Sequence, residues 1–175
     1  MKIFKNRLKK GLVTINSSCF KTISAGALEI EGPGNELKQL IIKKFSRSLH
    51  IREVDTGSCF GCESEIIAAT NPIYDIQRFA IDFVASPRHA DALLVTGPLS
   101  KNMKIALKKT YDAMPGPKMV ITLGDCALDG GAFKGSYYTL GGINKILPVL
   151  LHIPGCPPKP AEIIAALLSY MKAGK

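Results

Sequence analysis

Acidic residues are scarce in this chain, 14 against 23 basic ones, and aromatics make up only 7% of its 175 residues, with no tryptophan. The few aromatics are not interleaved with the basic residues as a base-stacking platform, and no nucleic-acid reading motif accompanies the charge. No nucleic-acid partner is therefore expected. Long apolar runs are missing as well: nothing approaches the ~18 apolar residues of a bilayer-crossing helix, so the chain is not expected to span a membrane by itself. The start, MKIFKNRLKKGLVTINS, has neither a continuous apolar stretch nor a small-residue cleavage site, and no twin arginine occurs. Export is therefore not expected. No internal repeat or low-complexity tract appears.

What is present suits one globular domain. A composition of 46% apolar and 21% charged residues over this length can bury a core without disulfides or a structural metal, so any metal here is expected to be functional. The net charge of +9 is uneven. Residues 1–50 carry ten Lys or Arg and three Glu, most of the surplus. Within them Ile3, Phe4, Leu8 and Leu12 fall at near-helical spacing among Lys2, Lys5, Arg7, Lys9 and Lys10. That pattern is compatible with a helix on an anionic membrane surface, with a partner-docking arm, or with a solvated basic tail.

Residues 1–47 thus read as a basic N-terminal extension with amphipathic helices, and 48–175 as an α/β domain. In EIEGPGNELKQLIIKKFSRS the Gly-Pro-Gly triplet predicts a break and Asn35 a helix N-cap, with Leu37, Leu40, Ile41 and Phe45 on the apolar face. From residue 49 onward, apolar runs (LHIREV, FAIDFVAS, DALLVTG, KMVITLG, ILPVLLHI) alternate with helical patterns (SEIIAATNP, KNMKIALKKTYDAM, PAEIIAALLSYMKA). Such alternation predicts βαβ units and an open, mostly parallel sheet with helices on both faces. SPRHA, only of loop length, leaves the geometry between the second and third strands open.

Four of the five cysteines follow predicted strands directly: Cys59 and Cys62 after IREVD, Cys126 after KMVITLG, Cys156 after LPVLLHIPG. In a parallel sheet all carboxyl ends share one edge, so these distant residues could meet in one crevice. With 63 residues between Cys62 and Cys126 and 29 between Cys126 and Cys156, no local finger is possible. A thioredoxin-like pair would use Cys59 and Cys62 and leave Cys126 and Cys156 unexplained. A four-cysteine zinc site usually draws on two compact pairs, whereas here one pair joins two isolated cysteines. A cubane [4Fe–4S] cluster needs four thiolates, and the glycines of TGSCFGCE, LGDCALDGG and IPGCPPKP suit backbone N–H bonds to its sulfurs. Buried cysteines with no metal are the fourth reading.

GSCFGCESEI, SPRHADALLVTGPLSKNM, MPGPKMVITLGDCALDGGAF and KILPVLLHIPGCPPKPAEII, in that order over about residues 48–172, resemble a known family. It contains the small subunit of group 4 membrane-bound nickel-iron hydrogenases and the complex I subunit that carries the terminal cluster. The resemblance implies a flavodoxin-like α/β subunit of an oxidoreductase, holding one [4Fe–4S] cluster through Cys59, Cys62, Cys126 and Cys156. It implies electron relay to or from a catalytic large subunit, beside a ferredoxin-like iron-sulfur subunit and membrane-arm subunits. The expected place is peripheral, on the cytoplasmic side of the cell membrane. Cys-x-x-Cys, where complex I relatives have adjacent cysteines, points to the hydrogenase-like branch; Phe60, where that branch often has Asn, departs from it. The rival from another class is a zinc-binding interaction module with four cysteine ligands and a basic docking arm.

Smaller features have two readings each. Glu63 and Glu65 either favour a helix start or take part in proton coupling at the large-subunit interface. Arg88 and His89 form a solvated turn or a partner contact at the carboxyl edge of the sheet. DGGAFKG reads as a loop that lets backbone approach the site rather than a phosphate cradle. Pro158 or Pro160 opens the last helix. His50 and His152 read as structural, and Cys19 as an unliganded cysteine.

Overall fold

The structure is a computed structural model and describes residues 18–174, with side chains from Ile30 onward. The apolar pattern at Ile3 to Leu12 and the Cys19 side chain lie outside the described residues. Five strands form one all-parallel sheet in the order β2-β1-β3-β4-β5, with β1 Leu49–Asp55, β2 Ile81–Phe83, β3 Ala92–Thr96, β4 Met119–Leu123 and β5 Leu151–Ile153. The helices are α1 Ser18–Phe45, α2 Gly61–Ala69, α3 Met103–Ala113, α4 Asp125–Asp129 and α5 Pro160–Lys172.

β3 (ALLVT) and β4 (MVITL) are buried at every position, as the centre of a sheet covered on both faces must be. Their side chains divide by alternation. Ala92, Leu94, Ile121 and Leu123 join the core under α1, α2 and α5, whereas Leu93, Val95 and Val120 join Leu107 of α3 on the other face. The fold is thus the flavodoxin-like α/β architecture that the resemblance implies.

Two local expectations fail for tertiary reasons. The helix does not break at Gly32-Pro33-Gly34 but runs through Pro33 as one 28-residue element, so Asn35 is an interior residue and not an N-cap. Ile30 before the proline and Leu37 and Ile41 after it are all buried in the same core, and that burial outweighs the missing hydrogen bond. Gly34 is the close-approach point, because a Cβ there would collide with the Phe79 ring. Ion pairs Glu31–Arg78 and Glu36–Lys172, at 2.6 and 2.8 Å, hold the helix on either side of Pro33.

The short link between β2 and β3 is resolved by register. β2 pairs with β1 only as far as Ile51, and β3 starts opposite Ile51 on the other side. The chain therefore has only to cross β1, without running back along it. His50 and Asp91 mark the crossing: the Asp91 N–H donates to the His50 carbonyl, and the His50 N–H donates to Asp91 Oδ2 at 3.0 Å. Arg47 closes the corner with a two-pronged bond to the Asp91 carboxylate. Pro87–His89 consequently lies before β3, at its amino end, and Arg88 and His89 are not at the carboxyl edge as the sequence suggested. β5 is also shorter than ILPVLLHI, since Pro148 lacks the N–H a ladder needs.

Candidate functional site

In the strand order 2-1-3-4-5 the chain leaves in opposite directions after β1 and β3, and the crevice at their carboxyl ends is where such sheets place ligands. The loops after β1, β3, β4 and β5 meet there around a cavity of about 90 Å³. Cys59, Cys62, Cys126 and Cys156 line it, so all four sequence candidates come together. Glycine backbone and the rings of Pro98, Pro157 and Phe133 form most of its other walls, with Ser58 and Asp125 at the lining too. Cys59 and Cys156 are exposed, and Cys62 and Cys126 half-buried.

The first loop is held from beneath. Fully buried Thr56 donates its hydroxyl to the Thr96 carbonyl at 2.8 Å, with the Gly97 and Pro98 carbonyls close by. Its backbone joins both sides of the crevice, with the Thr56 N–H donating to the Thr96 carbonyl and the Ser100 N–H donating to the Thr56 carbonyl. Asp55 Oδ1 accepts from the Gly57 and Ser58 N–H groups, both at 2.7 Å. The Ser58 hydroxyl then accepts from the Phe60 N–H and donates to Glu63 Oε2 at 2.7 Å. Phe60 takes a left-handed φ of 71° and stands 62% exposed beside the two cysteines.

Glycine is required at the walls. A Cβ at Gly97 would strike the Ser58 backbone, and one at Gly131 would sit 2.8 Å from Cys126 Sγ; both residues have positive φ. The Gly131–Ala132 backbone thus approaches Cys126, as DGGAFKG suggested, and the Ala132 N–H bonds its sulfur. At the last loop Pro160, not Pro158, opens α5, with the Lys159 N–H capped by Glu162 Oε2. His152 is structural as expected, its Nδ1 3.0 Å from Thr122 Oγ1, while the neighbouring Asp125 carboxylate accepts from the Gly155 N–H. His50 turns its ring to the His89 carbonyl, remote from the cysteines.

Burial pushes the Cys62 thiol up to about 12, and the charges of Glu63 and the other three cysteines add to it. Burial also raises Cys126, opposed by the Ala132 N–H. The Cys62 and Cys126 thiols thus resist ionising unaided, which suits a cationic guest more than a free dithiol nucleophile. Among the described residues no three Cys, His, Asp or Glu side chains are grouped tightly enough for a single metal ion. The four soft sulfurs line one space with glycine backbone close by, a donor set whose chemistry fits an iron-sulfur cluster.

Next to the cavity, between α2 and the end of β2, lies an open cleft of about 500 Å³. Glu63 and Phe60 line it together with Arg52, Glu53 and the exposed Ile67. Glu63 Oε1 and Arg52 Nε are buried there without partners. Glu65 lines neither space. The sequence reading missed Asp55, Thr56 and Ser58, although a polar D-T-G-S run directly after a strand was the available signal. It also missed Pro98 and Phe133, whose part depends on how distant loops meet.

Among the described residues no helix is long and apolar enough to cross a membrane. Residues 59–170 match the family model described as NADH ubiquinone oxidoreductase, 20 Kd subunit. The probable membrane-bound hydrogenase subunit mbhJ of Pyrococcus furiosus is 44% identical over 77% of this chain and 81% of its own length. Formate hydrogenlyase subunit 7 of Escherichia coli is 45% identical over 73% of this chain, which spans half the length of that relative. An NADH-quinone oxidoreductase subunit of Bacteroides thetaiotaomicron is 43% identical over 67% of this chain and 59% of its own length. In structure, the chain matches one from the membrane-bound sulfane sulfur reductase, an archaeal respiratory membrane complex, with a TM-score of 0.65 and 30% identity over 76% of this chain and 73% of that one. The chain therefore belongs to the family of the 20 kDa subunit of NADH ubiquinone oxidoreductase, whose members serve in membrane-bound hydrogenase and complex I-type oxidoreductases.

Proposed function

We propose that the chain is the electron-transfer subunit of a membrane-bound hydrogenase-like or complex I-like oxidoreductase, with Cys59, Cys62, Cys126 and Cys156 holding one [4Fe–4S] cluster. The carrying observation is that four thiols from three separate loops line a single glycine-walled cavity at the sheet's switch point. Such a group supplies reversible uptake of one electron without making or breaking a substrate bond. The residues of this chain fix the loops, through Thr56 and Asp55, and set the surroundings of the sulfurs through Gly97, Gly124 and Gly131.

The terminal reaction then belongs to a catalytic large subunit. The exposed Phe60 and Ile67 beside the cavity suit a permanent apolar contact with it. Glu63, fixed by Ser58 with one oxygen unpartnered, is the better placed of the two carboxylates for proton coupling at that interface. A ferredoxin-like iron-sulfur subunit and membrane-arm subunits are the further neighbours, with the basic start of the 1–47 extension, ahead of the part packed in the core, as a docking arm on the cytoplasmic side of the membrane. Cys-x-x-Cys favours the hydrogenase-like branch.

Metal analysis tests this reading. Four iron and four sulfide per chain, with an electron paramagnetic resonance signal on reduction, are expected. Stoichiometric zinc without a chromophore overturns it in favour of the interaction module.

A further inference from the structure

α3 lies on the opposite face of the sheet from α2 and buries little beyond Leu107. Its outer side carries Lys104, Lys108 and Lys109 around Ile105, which is 66% exposed, and Lys101 stands exposed in the turn just before it. Asp112 is the one carboxylate on that side, and none of the four lysines is paired with a carboxylate among the described residues. Lys104 and Lys108, at i, i+4, repel each other modestly, and with Asp112 as the one nearby carboxylate the face keeps a net positive charge.

The face continues into two exposed tyrosines. Asn102 donates to the Tyr138 hydroxyl at 2.7 Å, the Lys101 N–H donates to the Tyr138 carbonyl, and Tyr137 next to it is 88% exposed. It is also bound to the site. Ser100, just before Lys101, is bonded to Thr56, and Ser100 bridges to Thr139 in the loop that brings Phe133 to the cavity wall. The cavity is therefore flanked by two unlike surfaces, a cleft on the α2 side that exposes Phe60 and Ile67 above the Arg52, Glu53 and Glu63 side chains, and a cationic face on the α3 side. Apolar surface suits a permanent partner, whereas lysines around a small apolar centre steer a partner that comes and goes.

We propose that the outer face of α3, with Tyr137 and Tyr138, is the docking surface for an acidic one-electron carrier protein. This rests on the electron-transfer reading given above. Charge complementarity selects the occupant, and the adjoining cavity gives it a redox purpose. The exchange moves one electron, oxidising the carrier and reducing the centre held by the four cysteines, with no bond made or broken.

The test uses the full chain with an acidic two-iron ferredoxin as probe, followed by stopped-flow electron transfer and by calorimetric binding from low to high salt. For the parent, rate and affinity fall steeply with salt. Replacing Lys101, Lys104, Lys108 and Lys109 by Gln lowers both about tenfold or more at low salt and flattens the salt dependence. The same four positions as Arg keep the parent values, and the single exposed change Ile105→Asp weakens binding without touching the core. Unchanged rate, affinity and salt slope in the Gln variant overturn the proposal. So does loss of binding to phosphatidylglycerol vesicles in that variant with ferredoxin binding intact, which gives the face to a membrane. Binding is read on metal-free chain too, so failure to assemble a cluster counts against the cofactor reading and lost complementarity against the docking face.

Discussion

A methyl group added at Gly124 would stand 2.7 Å from the sulfur of Cys62. Gly124 is the last residue before α4 and has a φ of 82°, so an alanine there is strained by its backbone and by the thiol at once. Gly124→Ala is expected to lose most of its iron while its far-ultraviolet circular dichroism stays near the parent's. Iron analysis beside dichroism reads both, and full iron retention would show that the cavity tolerates the extra volume.

Serine at each cysteine in turn separates cluster binding from thiol exchange. Cys126→Ser and Cys156→Ser are expected to abolish the visible chromophore as completely as Cys59→Ser or Cys62→Ser, because all four line one cavity. A thiol oxidoreductase would keep its activity in the Cys126 and Cys156 variants.

Thr56 holds the switch point through a fully buried hydroxyl. Thr56→Val keeps the shape and removes the donor from the Thr96 carbonyl, an expected loss of ~1–2 kcal/mol. Urea denaturation measures it.

Gly34 and Phe79 are in direct opposition, so Gly34→Ala is expected to destabilise by ~1–3 kcal/mol through overpacking. Adding Phe79→Leu, which frees space at the contact, should recover part of that loss. Simple additivity of the two changes would disprove the contact.

The burial of Glu53 sets the sign of an expected pH dependence. Burial raises its carboxyl pKa, the Glu63 charge adds to this, and the Thr96 hydroxyl opposes it. The folded chain then keeps this proton to higher pH than the unfolded chain does, so stability falls as pH rises from the unfolded value through the folded one. Glu53→Gln removes that fall. It is expected to be more stable than the parent at neutral pH, with the gap closing below about pH 4. Denaturation at both ends of the range decides.

The sheet was legible because its central strands are apolar throughout and each stops at a glycine or a polar loop, a pattern with one common architecture. The four cysteines were legible because every one follows a predicted strand, whatever that strand's place in the sheet. Pro33 misled because local propensity predicts a break that buried Ile30 and Leu37 override from outside the segment. Arg88 and His89 misled because their position depends on where β2 stops along β1, a register no local pattern records. The Arg47–Asp91 corner joins residues 44 apart through side chains common on any surface.

The spacing of the four cysteines along the chain also makes their guest a cross-link. Anything gripped by all of them closes one loop of 63 intervening residues and another of 29, and either closure, as a permanent bridge, removes entropy from the unfolded chain worth about 4 kcal/mol. Since the last thiol follows β5, that tie cannot be completed until all five strands have been made. The closing grip then fastens the first strand to the last, across the full run of the sheet's chain.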